Sequence, residues 1–178
     1  MNWQKALELI RLLEGDWSDN PADPGGATRD GITLRAYREF RIDPTITPDA
    51  LRQLADEDIS AFYHWYMSGV KNLAGRLLVD IIPEPADAVF FQWAVNSGPS
   101  AAVRGLQAAL LVTPDGLFGP VSQEKMTNLL PATLARRLLV AQLAHLAATH
   151  EPSWPFYRGI ADRAAKVLEF LGLGARST

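Results

Sequence analysis

The chain contains no cysteine, which excludes disulfide bonds, zinc–thiolate sites and thiol nucleophiles. It also lacks an excess of basic residues, since 17 lysines and arginines stand against 20 aspartates and glutamates, a net charge of −3. A nucleic-acid-binding protein carries a strongly basic surface, so the sequence predicts no nucleic-acid partner.

Long apolar runs are missing as well. No stretch approaches the roughly 18 apolar residues that a membrane span needs, so we expect no stable membrane insertion. Lys5, Glu8 and Arg11 interrupt the N-terminal apolar residues, so we find no secretory signal and expect synthesis in the cytoplasm. The three histidines have no metal-ligand spacing and no phosphate-loop motif follows Gly25-Gly26, so we assign no metal and no cofactor.

What the sequence does carry is helical periodicity and helix punctuation. The first helix is predicted over residues 2–13. Thr33, Thr47 and Asp56 are predicted to cap further helices, and others begin after Pro85 and at Pro99 and Pro120. Two more are predicted over residues 132–148 and 158–171, and residues 113–116 fit a type I turn. We predict a mainly α, single compact domain over 1–178, with a catalytic half at 1–92 and a helical half at 93–178.

Residues 15–33 break this pattern, because glycine, proline, aspartate and threonine dominate them. We interpret the segment as a long structured loop with a short β-hairpin that ends at Gly31-Ile32-Thr33. An irregular stretch of this length in a compact domain is usually functional or disordered.

Glu14 is the most informative single residue. It follows Ile10 by four positions, so it continues the apolar stripe of the first helix, and it lies at the helix C-terminus. Partial burial and the negative end of the helix dipole would both favour its protonated form. An acid that keeps its proton near neutral pH suits glycoside hydrolysis, in which the leaving oxygen is protonated. The alternative is a frayed helix end with Glu14 in solvent or paired with an arginine.

Four segments, in order, resemble one family. They are Glu14-Gly15-Asp16-Trp17 with Asp23-Pro24-Gly25-Gly26-Ala27-Thr28 and Gly31-Ile32-Thr33, then Ala94-Val95-Asn96-Ser97-Gly98, then Leu106-Gln107 with Asp115-Gly116-Leu117-Phe118-Gly119-Pro120, then Phe156-Tyr157-Arg158-Gly159. This arrangement resembles glycoside hydrolase family 108. The resemblance implies a lysozyme-like fold, with Glu14 as the catalytic acid and a peptidoglycan-binding region in the C-terminal half.

The sequence departs from the family pattern at several positions. Asp16 stands for the second glycine of Glu-Gly-Gly-Tyr, and Trp17 stands for its tyrosine. Arg29-Asp30 replaces a pair that is often asparagine and an aromatic residue, and Gln92 stands where the family often has aspartate. These changes bear on sugar specificity and pH optimum more than on the reaction.

A second carboxylate would hold or activate the attacking water. The candidates are Asp16, Asp19, Asp23 and Asp30, although Asp19 and Asp23 lie near prolines and suit turn-forming hydrogen bonds equally. The arrangement is also similar to phage-type lysozymes, which implies Asp23 as the second carboxylate and Thr28 as the water-positioning hydroxyl. With no second carboxylate clearly placed, we expect inversion at the anomeric carbon.

Further residues are predicted to bind substrate. Trp17 has an aromatic plane suited to stacking on a sugar, and Asn96 could bind an acetamido group or serve as a core amide. Tyr63 and Trp93 could line a cleft, with core packing as the alternative for both. The predicted substrate-binding set is Trp17, Asp19, Asp30, Ile32, Thr33, Tyr63, Trp93 and Asn96.

The resemblance implies an N-acetylmuramidase that cleaves between N-acetylmuramic acid and N-acetylglucosamine, of the kind found among phage endolysins and secretion-associated muramidases. Its partner would be the peptidoglycan glycan strand. We expect a monomer that reaches the cell wall by holin-like or other release. Two alternatives stay open: a peptidoglycan-binding module that no longer cuts, and a hydrolase of a different bond, either chitinase-like or peptide-cleaving.

Overall fold

The structure is a computed structural model that describes residues 1–19, 26–72, 74–149 and 154–174. Within these residues the fold is mainly α, with ten helices and one small antiparallel sheet, as the sequence predicted. The chain divides into two compact units, one of Trp3–Gly69 and one of Met1–Asn2 with Val70–Thr178. That residues 1–178 form one domain whose halves meet at residue 92 stays a prediction.

The unit Trp3–Gly69 combines four helices with the sheet. Its elements are α1 (Trp3–Glu14), β1 (Trp17–Ser18), β2 (Thr28–Arg29), β3 (Ile32–Thr33), α2 (Leu34–Arg41), α3 (Pro48–Arg52) and α4 (Asp56–Met67). The strands pair in sequence order, with Trp17 opposite Arg29 and Arg29 opposite Ile32. The predicted hairpin is therefore present as β2 and β3, and β1 adds a third strand that the sequence did not reveal.

Side-chain caps set two of these helix starts, as predicted. The Thr33 hydroxyl accepts a hydrogen bond from the Ala36 amide, and the Thr47 hydroxyl accepts one from the Ala50 amide, each at 3.2 Å. The predicted Asp56 cap is wrong. Ala55 occupies the cap position of α4 without a side-chain bond, and the carboxylate of Asp56 pairs with Arg11 instead.

Aromatic rings fill the core of this unit. Phe62 is buried and lies within 6.2 Å of the Tyr37 ring and 5.7 Å of the Phe40 ring, measured between centroids. It also contacts Tyr63 in an edge-to-face arrangement at 5.3 Å. Aromatic pairs of this kind stabilise a core by about 0.5–1.5 kcal/mol beyond the area they bury. They fix α4 against α2, which holds Tyr63 in place.

The other unit is helical in its described part. Its helices are α5 (Leu78–Ile81), α6 (Ala86–Ser97), α7 (Pro99–Ala109), α8 (Pro120–Thr127), α9 (Pro131–Thr149) and α10 (Trp154–Phe170). The predicted starts near Pro85, Pro99 and Pro120 are confirmed, whereas α5 was not predicted. Helices α6, α7 and α9 pack on one another, and every residue from Ala86 to Ala94 is buried. None of the helices in the described ranges is long and apolar enough to cross a membrane.

Gly105 is required by close packing rather than by backbone conformation. A Cβ built on Gly105 would lie only 1.9 Å from the ring of Trp93. Trp93 is 1% exposed, so its ring is held among neighbouring side chains. The bare α-carbon of Gly105 therefore sets how closely α7 approaches α6.

A buried glutamine organises the turn between α7 and α8. The Gln107 side chain donates to Asp115 Oδ1 at 2.7 Å and to the Leu117 carbonyl at 3.2 Å, and it accepts from the Gly116 amide at 2.7 Å. The sequence predicted a type I turn at residues 113–116, in which the Gly116 amide would donate to the Thr113 carbonyl. Gln107 takes that amide instead, which gives the Leu-Gln and Asp-Gly segments a structural role.

Gln92, which stands where the family often has aspartate, lies inside α6. It is buried and exchanges amide hydrogen bonds with Gln142 of α9, and Arg163 of α10 donates to its oxygen at 3.4 Å. An aspartate could accept from these groups but could not donate to Gln142. Glutamine at position 92 can therefore donate to Gln142 of α9, which an aspartate could not do.

Candidate active site

Glu14 is the last residue of α1, and a glycine turns the chain directly after it. Gly15 has φ of +76°, a conformation that glycine adopts without strain, and its amide donates to the Arg11 carbonyl at 3.0 Å. The chain then enters β1 at Trp17. The Glu-Gly pair thus sets a carboxylate at a helix end, next to the sheet.

The predicted partial burial of Glu14 is wrong, because its side chain is exposed. Helix α1 buries its middle, at Ala6, Leu7, Leu9 and Ile10, and this burial fades towards its C-terminus. The apolar periodicity is real, but burial does not extend to its last position. The exposure agrees with the alternative, in which Glu14 faces solvent, and it also leaves the carboxylate accessible to a bound molecule.

Asp30 is the organising residue of this unit. Its side chain is fully buried, and Arg11 donates to both carboxylate oxygens, at 3.0 and 3.1 Å. Arg29 lies 3.2 Å from the same carboxylate, and the Tyr63 hydroxyl donates to the Asp30 carbonyl at 2.6 Å. Such charge-assisted bonds are the strong ones in proteins. They tie α1, α4 and the sheet together at one point.

The same residue forms the hairpin turn. Asp30 and Gly31 have φ of 48° and 80°, two successive left-handed residues between the paired Arg29 and Ile32. This is the backbone of a type I′ turn, for which Asp-Gly is a preferred sequence. Asp30 was predicted as a second carboxylate and a substrate contact. Its burial, the hydrogen bonds from Arg11 and the ion pair with Arg29 argue against both roles.

The charges of this network influence one another. The hydrogen bonds that Arg11 donates to Asp30 and then to Asp56 raise the pKa of its guanidinium, so Arg11 stays charged. The hydrogen bond from Arg11 lowers the pKa of the exposed Asp56 carboxyl. Burial raises the pKa of the Tyr63 hydroxyl, and the nearby Asp30 carboxylate adds to the rise.

The other predicted residues of this unit have mixed positions. Trp17 is half-buried, with the Arg52 guanidinium 5.5 Å from its ring centre. Thr28 is half-buried in β2, and its hydroxyl donates to the Gly26 carbonyl at 3.3 Å. Asp16 and Asp19 are exposed. These positions leave Trp17, Thr28 and the two aspartates accessible to a ligand.

The remaining predicted residues are occupied or lie elsewhere. Ile32 and Tyr63 are buried, and Thr33 caps α2. Trp93 and Asn96 belong to the other unit, where Trp93 is buried and Asn96 is exposed and accepts from Ser97 at 3.0 Å. Burial argues against direct substrate contact for Ile32, Tyr63 and Trp93. Asp23 lies outside the described residues.

Sequence reasoning missed Arg11, Arg52 and Asp56. Arg11 lies three positions before Glu14 on α1, a spacing that places two side chains on neighbouring parts of a helix surface. That spacing was visible, but its partners Asp30 and Asp56 lie 19 and 45 residues away. Within the described ranges, no three acidic or histidine side chains come together as a metal site.

Comparison with known proteins adds to this geometry. A solved structure described as "Structure of Brucella abortus SagA" superposes with a TM-score of 0.71, covering 99% of this chain and 98% of that one. Their sequences are 24% identical, so the likeness establishes the mainly α, lysozyme-like fold alone. No curated protein matches the sequence. The family model described as Glycosyl hydrolase 108 matches residues 7–98, more than half of the chain, and the protein therefore belongs to this family of glycoside hydrolases.

Proposed function

We propose that the protein is an N-acetylmuramidase, which hydrolyses the bond between N-acetylmuramic acid and N-acetylglucosamine in peptidoglycan with Glu14 as general acid. The observation that carries this proposal is the family match, which spans Glu14, the loop after it and the sheet. The exposure of Glu14 removes the argument from burial, so the proposal rests on family membership and on the accessible helix-end carboxylate.

In the proposed reaction, Glu14 gives its proton to the glycosidic oxygen as the bond from that oxygen to the anomeric carbon breaks. One feature of the complex supports this role. A bound glycan would displace water from the exposed side chain, and desolvation favours the protonated form of a carboxyl group. Substrate binding thus supplies the burial that the free protein lacks.

Water completes the proposed reaction by attacking the anomeric carbon and returning a proton to solvent. Thr28 is a candidate to position this water, since its hydroxyl donates to the Gly26 carbonyl and still has oxygen lone pairs that can accept. Asp23 is the candidate second carboxylate. We propose inversion, for which the two carboxyl groups would lie about 6.5–9.5 Å apart rather than about 5 Å.

Substrate contact is proposed first for Trp17. An indole offers a flat apolar face to a sugar ring, and the Arg52 guanidinium 5.5 Å from its centre holds the ring by a cation–π interaction. Asp19, Thr33 and Asn96 stay proposed polar contacts. Tyr63 acts on substrate only indirectly, because its hydroxyl is bound to Asp30.

Glu14→Gln tests the assignment. The amide keeps the shape of the side chain but cannot deliver a proton, so we expect dye release from labelled peptidoglycan to fall by about 10²–10⁴-fold. Glu8→Gln is the matched control, because Glu8 is exposed on the same helix and should tolerate the change. Full activity in Glu14→Gln, with an unchanged circular dichroism spectrum in both variants, would show that Glu14 is not the acid.

Mass spectrometry of the digestion products identifies the bond. New reducing N-acetylmuramic acid ends support a muramidase, and new amino groups would show a peptide-cleaving endolysin instead. Reducing N-acetylglucosamine ends would show a glycosidase of different specificity. Protein that sediments with insoluble peptidoglycan but releases no product would show a binding module.

We further propose that the protein acts as a monomer and reaches the wall after holin-like or other release. Size-exclusion chromatography with light scattering checks the first part. A mass near 19.5 kDa is expected, and twice that value would contradict it. Wall lysis in cells that depends on a co-expressed membrane-permeabilising protein checks the second part.

A further inference from the structure

Helices α6, α7 and α9 surround a cavity within the unit that contains Val70–Thr178. Its volume is about 500 Å³, inside the range of roughly 300–1,000 Å³ typical of small-molecule sites. Its lining includes Trp93 and Ser97 of α6, Ser100 and Arg104 of α7, and His145 of α9. None of these residues takes part in the chemistry proposed for Glu14.

The ring of Trp93 lines this cavity and has one unusual feature. Its indole Nε1 is buried and has no hydrogen-bond partner among the residues that the structure describes. Buried polar atoms nearly always have a partner, so each exception needs a reason. The ring cannot easily turn away, because it lies against the α-carbon of Gly105, and its centre lies 5.8 Å from that of His145.

The charged side chain of the lining is Arg104, beside the polar side chains of Ser97, Ser100 and His145. Arg104 carries a permanent charge, and its Nη1 donates to the Pro114 carbonyl at 2.6 Å, which fixes the direction of the guanidinium. A guanidinium has five N–H groups, so this bond uses only one of them. No carboxylate lines the cavity in the described part of the chain. This balance of groups favours an anionic ligand.

The rest of the lining is small and apolar. Ala101, Ala108, Ala141 and Gly105 complete the cavity wall, and they leave room rather than hydrogen-bonding partners. A ligand that fits must therefore combine one acidic group with a small apolar body. Arginine binds a carboxylate through paired hydrogen bonds, and the apolar wall disfavours a fully hydrated ion such as free phosphate.

We propose that this cavity binds the C-terminal carboxylate of a short peptide with small apolar side chains. The carboxylate accepts from Arg104 and His145, and the peptide lies along the alanines of α7 and α9. The proposal does not depend on the glycosidase reaction. Trp93 and Ser97 of α6 lie inside the segment matched by the family model, and the other lining residues follow it in the chain.

The test follows the indole N–H resonances of the full-length protein by ¹H–¹⁵N NMR, with Trp93→Phe to assign the signal of Trp93 among the five tryptophans. The probes are N-acetyl-alanyl-alanine in its L,L and D,D forms, and the C-terminal amide of each. We expect one of the acids to shift the Trp93 signal saturably, with binding at least about tenfold tighter than that of its amide. The preferred form tells whether the source peptide contains L or D residues.

Ala141→Leu should abolish that shift by filling the cavity, and Ala108→Leu is a second blocking variant because Ala108 is exposed. Ala144→Leu is the matched control, since Ala144 is exposed on α9 and does not line the cavity. The proposal is overturned if neither acid shifts the signal, if the amides bind equally well, or if both blocking variants bind as the control does. A shift by inorganic phosphate but by neither acid would overturn it too.

Discussion

Asp30 shows how one buried carboxylate organises its surroundings in the unit that carries Glu14. It accepts from Arg11 through both oxygens, forms the first residue of the hairpin turn and receives the Tyr63 hydroxyl on its carbonyl. A charge buried in this way stabilises the fold only while its partners remain. The residue therefore contributes to the site through geometry, by fixing β2 and α1 relative to each other.

Asp30→Asn is expected to lower the free energy of unfolding by roughly 1–3 kcal/mol, because the change removes a charged acceptor from Arg11 and sets an amide N–H₂ against it. Urea denaturation followed by circular dichroism measures the difference. Asp162→Asn is the control, since Asp162 is exposed on α10 and should change stability by less than about 0.5 kcal/mol. Equal stability of the two variants would mean that the Arg11–Asp30 pair contributes nothing net.

Gly105→Ala tests the close approach of α7 to α6. The new methyl group would meet the Trp93 ring at 1.9 Å, so the ring or the helix must shift. Overpacking of a tight core typically costs about 1–3 kcal/mol, so we expect a lower thermal unfolding midpoint.

Gly159→Ala should raise the stability of the protein, whereas Gly105→Ala should lower it. Gly159 lies in α10 with no atom within 4 Å of an added Cβ, so alanine should stabilise the helix by roughly 0.5–1 kcal/mol. If both variants are stabilised, Gly105 does not pack against Trp93 as described.

The turn between α7 and α8 is held by Gln107 and Asp115, and its stability should depend on pH. The hydrogen bond from Gln107, followed by that from the Leu117 amide, lowers the pKa of the Asp115 carboxyl below its ordinary value of 3.8. A lowered folded-state pKa stabilises the fold above 3.8, and this contribution is lost as pH falls through the folded value.

Asp115→Asn should therefore be less stable than the wild type at pH 6. Between pH 4 and pH 2, the stability of the variant should fall less than that of the wild type. Asparagine keeps an acceptor oxygen for Gln107 but carries no charge that acid can remove. Thermal unfolding midpoints over this pH range, for wild type and variant, measure the effect. Parallel pH profiles for the two proteins would contradict the assigned role of Asp115.

Most helix boundaries could be predicted because their signals are local. A capping residue or an N-terminal proline acts within one turn of the helix that it begins, so the local sequence predicts the boundary. Examples are Thr33, Thr47-Pro48 and Pro99. The Asp56 cap failed because Arg11, 45 residues away, takes its carboxylate. At the predicted type I turn, the Gly116 amide likewise donates to the Gln107 side chain, nine residues away, rather than to the Thr113 carbonyl. Partners distant in sequence decided both outcomes.

The helix end at the candidate site could be predicted, but the burial of Glu14 could not. A glutamate at the end of an apolar stripe, followed by glycine, predicted that the first helix stops there, and α1 ends at Glu14. Periodicity reports which face of a helix turns inward, but it does not report where along the helix the covering residues stop. The buried carboxylate of this unit is Asp30, whose burial depends on α4 and on Arg11 and so has no local signature.

The charge of the whole chain predicts how the proposed wall lysis responds to salt. With a net charge of −3, the protein has no overall attraction to an anionic wall, and any attraction must come from local groups. Four arginines lie close together in sequence, at positions 29, 35, 38 and 41. Arg29 is engaged with Asp30 and Arg38 donates to the Ile46 carbonyl, whereas Arg35 and Arg41 are exposed. Two exposed cations provide little electrostatic attraction to an anionic wall.

Activity on purified peptidoglycan should therefore stay level or rise as sodium chloride increases from about 10 mM to 150 mM, while the Debye length shortens from roughly 30 Å to 8 Å. Screening removes like-charge repulsion, so it cannot slow an encounter that attraction does not assist. Initial rates of dye release at constant pH measure this, with a basic lysozyme as the control that salt should inhibit. A fall in rate with salt would show that Arg35 and Arg41 steer the protein to the wall, and Arg35→Gln with Arg41→Gln should then remove the dependence.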